Sequence, residues 1–282
     1  MQLAPGDPVR LLVGQAYVTP EQLDAIREKW GLNDPWYVQY WTWLSNLVRG
    51  DLGTSIIRQG VPISDMISEA ALMTLRLTVL SFLISLCVAI PVGVLAAIRR
   101  YSWFDYGAML GSTLGVAVPN YWIGLMLILI FSVHFRVLPA FGAESPKSII
   151  MPAASLGVGL AATLSRLTRS SMLEVLGQDY IRTARSKGLR ERSVIIRHAL
   201  RNALIPVVTS FGLSLGWLLG GAVVIESVFS WPGLGRLMID SINIRDITIV
   251  QAGLLFFATS FVVINLVVDI IYTLIDPRVR FD

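Results

Sequence analysis

The stretch LTVLSFLISLCVAIPVGVLAAI, residues 77–98, contains 22 consecutive residues without a charged side chain. An α-helix rises about 1.5 Å per residue, so about 20 apolar residues cross a hydrocarbon core of about 30 Å. The stretch therefore predicts a transmembrane helix. Further uncharged runs bring the predicted number of membrane spans to five, and they cover residues 106–133, 149–165, 203–225 and 247–268.

The composition also predicts a membrane protein. Hydrophobic residues make up 54% of the chain and charged residues only 15%, which leaves more apolar surface than a soluble domain of 282 residues could bury. The net charge of +4 comes from loops beside the apolar runs, so it favours membrane topology over nucleic-acid binding. The single cysteine, Cys87, lies inside an apolar run, which excludes an intrachain disulfide and a metal site made of thiolates.

The positions of Lys and Arg predict the orientation, because positively charged loops stay on the cytoplasmic side. Residues 99–105, 166–202 and 277–282 together hold thirteen of these residues, whereas residues 134–148 and 226–246 hold four. The first set of loops and the C-terminus are therefore predicted to be cytoplasmic, in a multi-pass protein of the cytoplasmic (inner) membrane.

This orientation makes residues 1–71 an extracytoplasmic segment and residues 72–282 the transmembrane domain. The first span must run inward, yet the segment before it has no apolar run long enough to cross. We therefore expect a further transmembrane helix ahead of Met1, missing through a misplaced start or a truncation. The expected fold is all-α: a polytopic membrane helical bundle of five spans with a small helical segment outside.

Two helices are predicted in the extracytoplasmic segment. The first ends at Gly31, and the second follows Pro35. Aromatic and apolar residues recur on one face of the second helix, and we interpret this stripe as packing, with a platform for substrate as the alternative. The stripe consists of Trp36, Tyr40, Trp43 and Leu47.

Two spans carry glycine at every fourth position. Glycine is less favourable than alanine inside a helix by roughly 1 kcal/mol, so a repeated stripe indicates close approach of another helix. That helix could belong to this chain or to a second subunit, and the same stripes are candidates for lining a transport path. The glycines concerned are Gly107, Gly111, Gly115, Gly212, Gly216, Gly220 and Gly221.

Prolines and ionisable groups bear on how the spans are used. Pro91, Pro119 and Pro152 lie within predicted spans and are expected to kink them. No carboxylate or histidine lies at the centre of a span, where an ion-coupled carrier usually places such groups. Energy for transport is therefore expected to enter through another protein.

The cytoplasmic loop of residues 166–202 is far longer than a connection between two spans requires. Within it, Asp179 is predicted to cap a short basic helix over residues 180–187, which ends at Gly188. Such a helix suits docking on a partner protein. The alternative is an anchor on anionic lipid at the cytoplasmic surface.

At this loop the chain resembles a known family. DYIRTARSKGL (179–189) and RHALRNALIP (197–206) are similar to the EAA-type loop of ABC importer permeases of the dipeptide, oligopeptide and nickel class, which also includes glutathione permeases. LAPGDP (3–8), RGDLGTS (49–55) and ESVFSWPGLGR (226–236) resemble further motifs of that class, in the same order along the chain. The general loop pattern begins Glu-Ala-Ala, whereas this chain has Arg182-Thr183-Ala184.

The resemblance implies a complex of several proteins. Its parts would be this permease, a second homologous permease, two cytoplasmic ATPase subunits that bind ATP and Mg²⁺, and an extracytoplasmic solute-binding protein. In that picture the loop helix lies in a groove on an ATPase. When the two ATPases close on nucleotide, the helix transmits this movement to the spans. The coupling residues implied are Tyr180, Arg182, Thr183, Ala184, Arg185, Lys187 and Gly188.

An enzyme is not expected. The chain contains no GxxxxGK[ST] phosphate-binding loop and no HExxH, and its two histidines, His134 and His198, lie on opposite sides of the predicted membrane. No catalytic residue, metal site or cofactor of its own is therefore predicted. The alternative, a membrane enzyme or ion-coupled carrier, would function without an ATPase. The substrate classes that the resemblance implies are peptides, glutathione, nickel chelates and oligosaccharides.

Overall fold

The computed structural model of the chain describes residues 19–21, 24, 28, 31, 33–55, 57–58 and 60–275. Within these ranges the chain is helical, and β-structure is limited to one isolated bridge between Thr54 and Pro62. The prediction of an all-α fold is confirmed. The first predicted helix lies largely outside the described residues, while Gly31 has the positive φ of 61° that suits the end of a helix.

The described α-helices are connected by loops, by one 3₁₀ turn and by two π-helical segments. A 3₁₀ turn, Pro146–Ile149, leads into α5, and two π-helical segments, Ile128–His134 and Val194–Leu200, extend α4 and join α7 to α8. The helices are α1 (Trp36–Val48), α2 (Ile63–Ile98), α3 (Trp103–Ala117), α4 (Asn120–Leu127), α5 (Ile150–Leu176), α6 (Asp179–Ser186), α7 (Glu191–Ser193), α8 (Arg201–Val228), α9 (Leu234–Asn243) and α10 (Ile247–Ile275).

Three helical stretches of the described residues are long and apolar enough to cross a membrane, namely Ile63–Ile98, Pro146–Leu176 and Ile247–Val268. The helices Trp103–Ala117 and Asn120–His134 also meet this criterion when taken together. Helix α8, of 28 residues, contains the predicted span 203–225, although several of its side chains lie outside the description. Five crossings stay a prediction.

The predicted span 106–133 consists of two helices that meet at an angle of 104°. Proline disfavours helical backbone in the residue before it, and Val118 accordingly has an extended conformation with φ −87° and ψ 127°. Pro119 also lacks the N–H that would continue the helix. By contrast, α2 continues as a helix through Pro91, and Pro152 lies in the first turn of α5. Of these three prolines, Pro119 is the one at which a predicted span is broken.

The chain divides into two compact units, residues 1–73 with 233–259, and residues 74–232 with 260–282. In the first unit, Asp246 accepts hydrogen bonds from the Ser55 hydroxyl and from the N–H of Ile249, the latter at 3.4 Å, so it ties the loop before α2 to the start of α10. The apolar core of this unit consists of Ile63, Ile67, Ala70, Leu234, Ile249 and Ala252.

The predicted aromatic stripe on helix α1 is not buried within the described chain. None of its residues is buried, and Trp36 and Trp41 remain 69% and 65% exposed. Tyr40 contacts Trp43 with a ring-centroid distance of 6.2 Å. Aromatic residues lie on several sides of this uncharged helix, so the spacing of four does not mark a core face within the described chain. Packing of the stripe at an interface stays a prediction.

The second unit is built around α5. Within its most apolar window α5 is 61% buried, compared with 28% for α2 and 22% for α10, and it packs against α3, α4 and α8. Helix α2 crosses α5 closely at two glycines. A Cβ at Gly93 would lie 2.5 Å from the Cβ of Thr168, and one at Gly157 would lie 2.7 Å from the carbonyl oxygen of Ser81.

Polar contacts fix α3 on α5. Arg169 donates two hydrogen bonds to the buried Asp105 carboxylate, at 2.5 and 2.7 Å. Further along the same pair of helices, the hydroxyls of Ser112 and Ser165 are 2.9 Å apart. These buried contacts determine how α3, and with it the break before α4, is placed against the central helix.

Candidate functional site

Helix α6 lies on the predicted cytoplasmic loop and has one buried face. Ile181 is fully buried and Ala184 is 8% exposed, and their spacing of three residues puts them on the same side of the helix. The seat beneath them is formed by the ends of α2 and α5, by the π-helical segment before α8 and by the first turn of α8. Its buried residues are Ala97, Met172, Val194, Ala199 and Ala203.

The N-terminal end of α6 differs from the prediction, whereas the C-terminal end agrees with it. Gln178 is the N-cap and Asp179 is the first helical residue, so the prediction of Asp179 as the cap was wrong by one position. At the other end, Gly188 has a φ of 76° and donates to the carbonyl of Arg185 at 2.9 Å, while Leu189 donates to Ala184 at 3.4 Å. This pair of bonds is a Schellman motif, which ends the helix at the predicted residue.

Two polar contacts hold α6 against α7 and α8. Arg185 donates to both carboxylate oxygens of Glu191, at 2.7 and 3.2 Å, and the Tyr180 hydroxyl accepts from the Asn202 side chain at 2.8 Å. The hydrogen bond from Arg185 holds the pKa of Glu191 below its ordinary value. It likewise raises the pKa of Arg185, so both partners stay charged in the cytoplasmic pH range.

The outer face of α6 is exposed and mainly basic. Arg182 retains 74% of its side-chain exposure and makes only a long contact of 3.5 Å with Asp179. Of the seven residues implied by the resemblance, Ala184 lies in the buried seat. The other six are exposed: Tyr180, Arg182, Thr183, Arg185, Lys187 and Gly188.

The predicted glycine stripes do not behave as a group. A Cβ at Gly107, Gly111 or Gly220 would meet nothing within 4 Å, whereas one at Gly115 would lie 3.0 Å from the Cβ of Ala162. Gly221 is intermediate, at 3.2 Å from a methyl of Leu156. The surroundings of Gly212 and Gly216 lie outside the described residues. Close helix packing is therefore shown at Gly115, and α5 is its partner.

The second unit contains a cavity of about 800 Å³, and sequence reasoning named only two of its described lining residues, Gly220 and Gly221, as candidates for a transport path. Its described lining comes from α4, α5, α8 and α10 and combines apolar side chains with the polar residues Asn120, Thr163 and Ser214. Gly220 and Gly221 also line it. Asn120 stands out in the sequence as an amide in an apolar run, but its partners in the cavity come from other spans and no local pattern connects them.

Comparison with known proteins identifies the family. Residues 89–281 match the sequence profile described as "Binding-protein-dependent transport system inner membrane component". The chain belongs to this family. A companion profile for the N-terminal part of such membrane components matches residues 1–63 of the permease. The resemblance drawn from the loop motifs is thus confirmed, and the protein is a multi-pass component of the inner membrane.

Curated relatives are similar to the permease over its whole length. It is 45% identical to the oligopeptide transport system permease protein AppB of Bacillus subtilis (strain 168), a comparison that covers 100% of this chain and 92% of that protein. It is 42% identical to the glutathione transport system permease protein GsiC of Escherichia coli (strain K12), covering 100% and 91%. The chain is therefore the transmembrane permease subunit of an ABC importer.

Solved structures share the fold of the permease. Two crystal forms of the MetNI methionine ABC transporter in inward-facing conformations give TM-scores of 0.61 and 0.63 at 20% and 19% identity, each covering 75% of this chain and 96% of that chain. An amino acid ABC transporter with histidines gives 0.53 at 17% identity, covering 77% and 95%. The fold is that of ABC transporter membrane subunits.

Proposed function

We propose that this permease forms part of a path that carries short peptides across the inner membrane. Its relatives are named for oligopeptides and for glutathione, which is itself a tripeptide. In the proposed complex a second homologous permease completes the path and an extracytoplasmic solute-binding protein delivers the peptide. Two cytoplasmic ATPases bind ATP and Mg²⁺ and supply the energy, so this chain needs no cofactor of its own.

The observation that carries the proposal is the construction of α6. Its apolar side, Ile181 and Ala184, is occupied by the chain's own seat, and Arg185 is held by Glu191. Its other side presents Arg182, Thr183 and Lys187 to solvent. A short helix whose apolar side is packed on its own chain and whose basic side is exposed can bind an ATPase. It is also suited to transmit movement to α8, because its seat adjoins the start of that helix.

The docking of an ATPase on α6 is tested with the double variant Arg182→Glu/Lys187→Glu. Both side chains are exposed and neither lies in the apolar seat, so the fold is expected to tolerate the change. Reversing two charges at the centre of a protein interface costs several kcal/mol, so peptide uptake and the amount of ATPase that co-purifies should fall at least about tenfold. The measurement is tandem purification with the neighbouring gene products, followed by uptake of labelled tri-alanine and glutathione in proteoliposomes.

The matched control is Arg190→Glu/Arg192→Glu, which reverses two exposed basic residues on the same loop outside α6. We expect this variant to keep its ATPases and its uptake within about twofold, because exposed charges away from a contact contribute little. Equal losses in both variants would reduce the role of α6 to general charge attraction. An active carrier purified without any ATPase would contradict the proposed function as a whole.

A further inference from the structure

The cavity between α4, α5, α8 and α10 lies at the middle of the predicted membrane. Asn120 is at the centre of the run 106–133, and Ser214 is at the centre of the run 203–225. Gly159 is two residues from the centre of the run 149–165. Residues that are central in three different spans thus meet around one space, at the depth where polar groups are least favourable in contact with lipid.

The break between α3 and α4 supplies the main polar group of this cavity. Asn120 is the first residue of α4, directly after the bend of 104°. A broken helix at mid-depth is tolerated where it is buried in protein or borders water, not where it faces lipid. Gly159 makes room for the Asn120 carboxamide, since a Cβ there would lie 3.1 Å from its Oδ1.

The carboxamide of Asn120 is not used within the described part of the chain, where it makes no side-chain hydrogen bond. An amide left without partners at this depth is strongly unfavourable, so its donors and acceptor require water or a ligand in the cavity. The hydroxyls of Thr163 and Ser214 donate to carbonyls of their own helices, at 3.2 and 2.8 Å. Their oxygen lone pairs remain able to accept from a guest.

The rest of the described lining is neutral. Its apolar side chains are Leu156, Leu160, Leu218 and Phe261. A Cβ at Gly220 would meet nothing within 4 Å. A lining without charged groups neither attracts nor repels a charged side chain of the peptide. It offers hydrogen bonds that match the N–H and C=O groups common to all peptides.

We propose that this cavity is a subsite for the uncharged backbone of a peptide in transit, with the Asn120 carboxamide pairing with a peptide group. The inference rests on the proposed function and adds to it a place in the path and a mode of recognition. Asn120 donates to a peptide C=O and accepts from a peptide N–H, while Thr163 and Ser214 accept from further N–H groups. Selection between side chains is left to the binding protein.

Cysteine accessibility tests whether the cavity holds water. In a Cys87→Ser background, Gly220→Cys and Thr163→Cys are compared with Gly111→Cys, which also has open surroundings but does not line the cavity. Only a thiolate reacts with a charged, membrane-impermeant methanethiosulfonate, so we expect the cavity positions in the reconstituted complex to react at least about tenfold faster than position 111. Tri-alanine together with the binding protein should slow the cavity positions alone.

Equally slow reaction at positions 220 and 111 would overturn the proposal, because the space would then be filled by lipid or by a helix of the second permease. Fast reaction without protection by peptide would also overturn it, leaving a water-filled space without a role in recognition. Neither result bears on whether the complex is an ATP-driven importer, which the uptake by the unmodified protein decides.

The second measurement removes the amide. Asn120→Leu keeps a similar volume but loses every hydrogen bond, and we expect the amount of tri-alanine imported per ATP hydrolysed to fall about fivefold to tenfold. Thr163→Val should cause a smaller loss and serves as the test if the first variant does not assemble. The control is Thr113→Val on α3, whose hydroxyl only donates to the Met109 carbonyl at 2.9 Å. An unchanged ratio in both cavity variants, with a functional control, would contradict the subsite while the importer stands.

Discussion

Gly188 shows how one backbone conformation supports the loop helix. Its φ of 76° is unfavourable for residues with a Cβ, but a Cβ there would meet nothing within 4 Å, so the effect of substitution is conformational and not steric. We expect Gly188→Val to weaken the end of α6 by about 1 to 2 kcal/mol and to lower uptake about fivefold or more. The measurement is uptake of labelled peptide in membranes that contain equal amounts of the complex.

The control for this prediction is Gly188→Asn. Asparagine tolerates the left-handed region better than other residues, so this variant should keep most of the uptake. If valine and asparagine behave alike, the conformation of Gly188 does not matter for coupling.

Single residues were predictable where the signal is local. The end of α6 at Gly188 follows from one glycine after a basic turn, and the structure agrees. The N-cap was misplaced by one residue because Gln178 and Asp179 are both polar and the choice depends on backbone geometry. Asn120 could not be recognised as a cavity residue, because Gly159 and Ser214 reach it only through the packing of separate helices.

The crossing of α2 and α5 is set by two isolated glycines. A methyl group at Gly157 would come within 2.7 Å of the Ser81 carbonyl oxygen, and backbone atoms can give way only if the helices move apart. We therefore expect Gly157→Ala to destabilise the permease by about 1 to 3 kcal/mol, measured by thermal unfolding of the purified complex in detergent.

The matched control is Gly107→Ala, where the added methyl group meets nothing within 4 Å. This change should be neutral or slightly stabilising, since alanine favours helix over glycine by up to about 1 kcal/mol. A lower melting temperature for Gly107→Ala than for Gly157→Ala would show that the crossing is less rigid than its geometry indicates.

Helices were easier to predict than their contacts. Uncharged runs are properties of consecutive residues, and they appear in the structure as helices. The same disruption was expected at Pro91, Pro119 and Pro152, and the sequence did not single out Pro119 as the site of the break. Close packing is a property of two distant segments, so a repeated glycine pattern was a poor guide to it. Gly107 and Gly111 belong to a regular stripe but are open, whereas Gly93 and Gly157 belong to no stripe and are tightly packed.

The orientation of the whole molecule gives a prediction that is independent of any partner. The excess of Lys and Arg in residues 99–105 and 166–202 predicts that these loops and the C-terminus lie in the cytoplasm. Alkaline phosphatase fused after residue 282 should be inactive, because its disulfides do not form in the cytoplasm. The same enzyme inserted between residues 134 and 148 should be active. The reverse pattern would invert the topology.

The fold class and the family were predictable from the chain as a whole, because hydropathy and motif order survive without any knowledge of packing. The division into two compact units was not, because each unit is assembled from segments far apart in sequence. Residues 1–73 join residues 233–259, and such pairings leave no periodic trace.

Helix α6 rests on the π-helical segment Val194–Leu200, and that segment runs without interruption into α8. From Arg201 to Ser214 the helix advances about 20 Å, so one continuous helix connects the loop to the cavity. A drug-like molecule bound beneath Ile181 would separate α6 from this helix. Such an inhibitor would arrest import while leaving both the nucleotide sites and the peptide route unoccupied, and resistance to it would arise in the seat residues Met172 and Ala199.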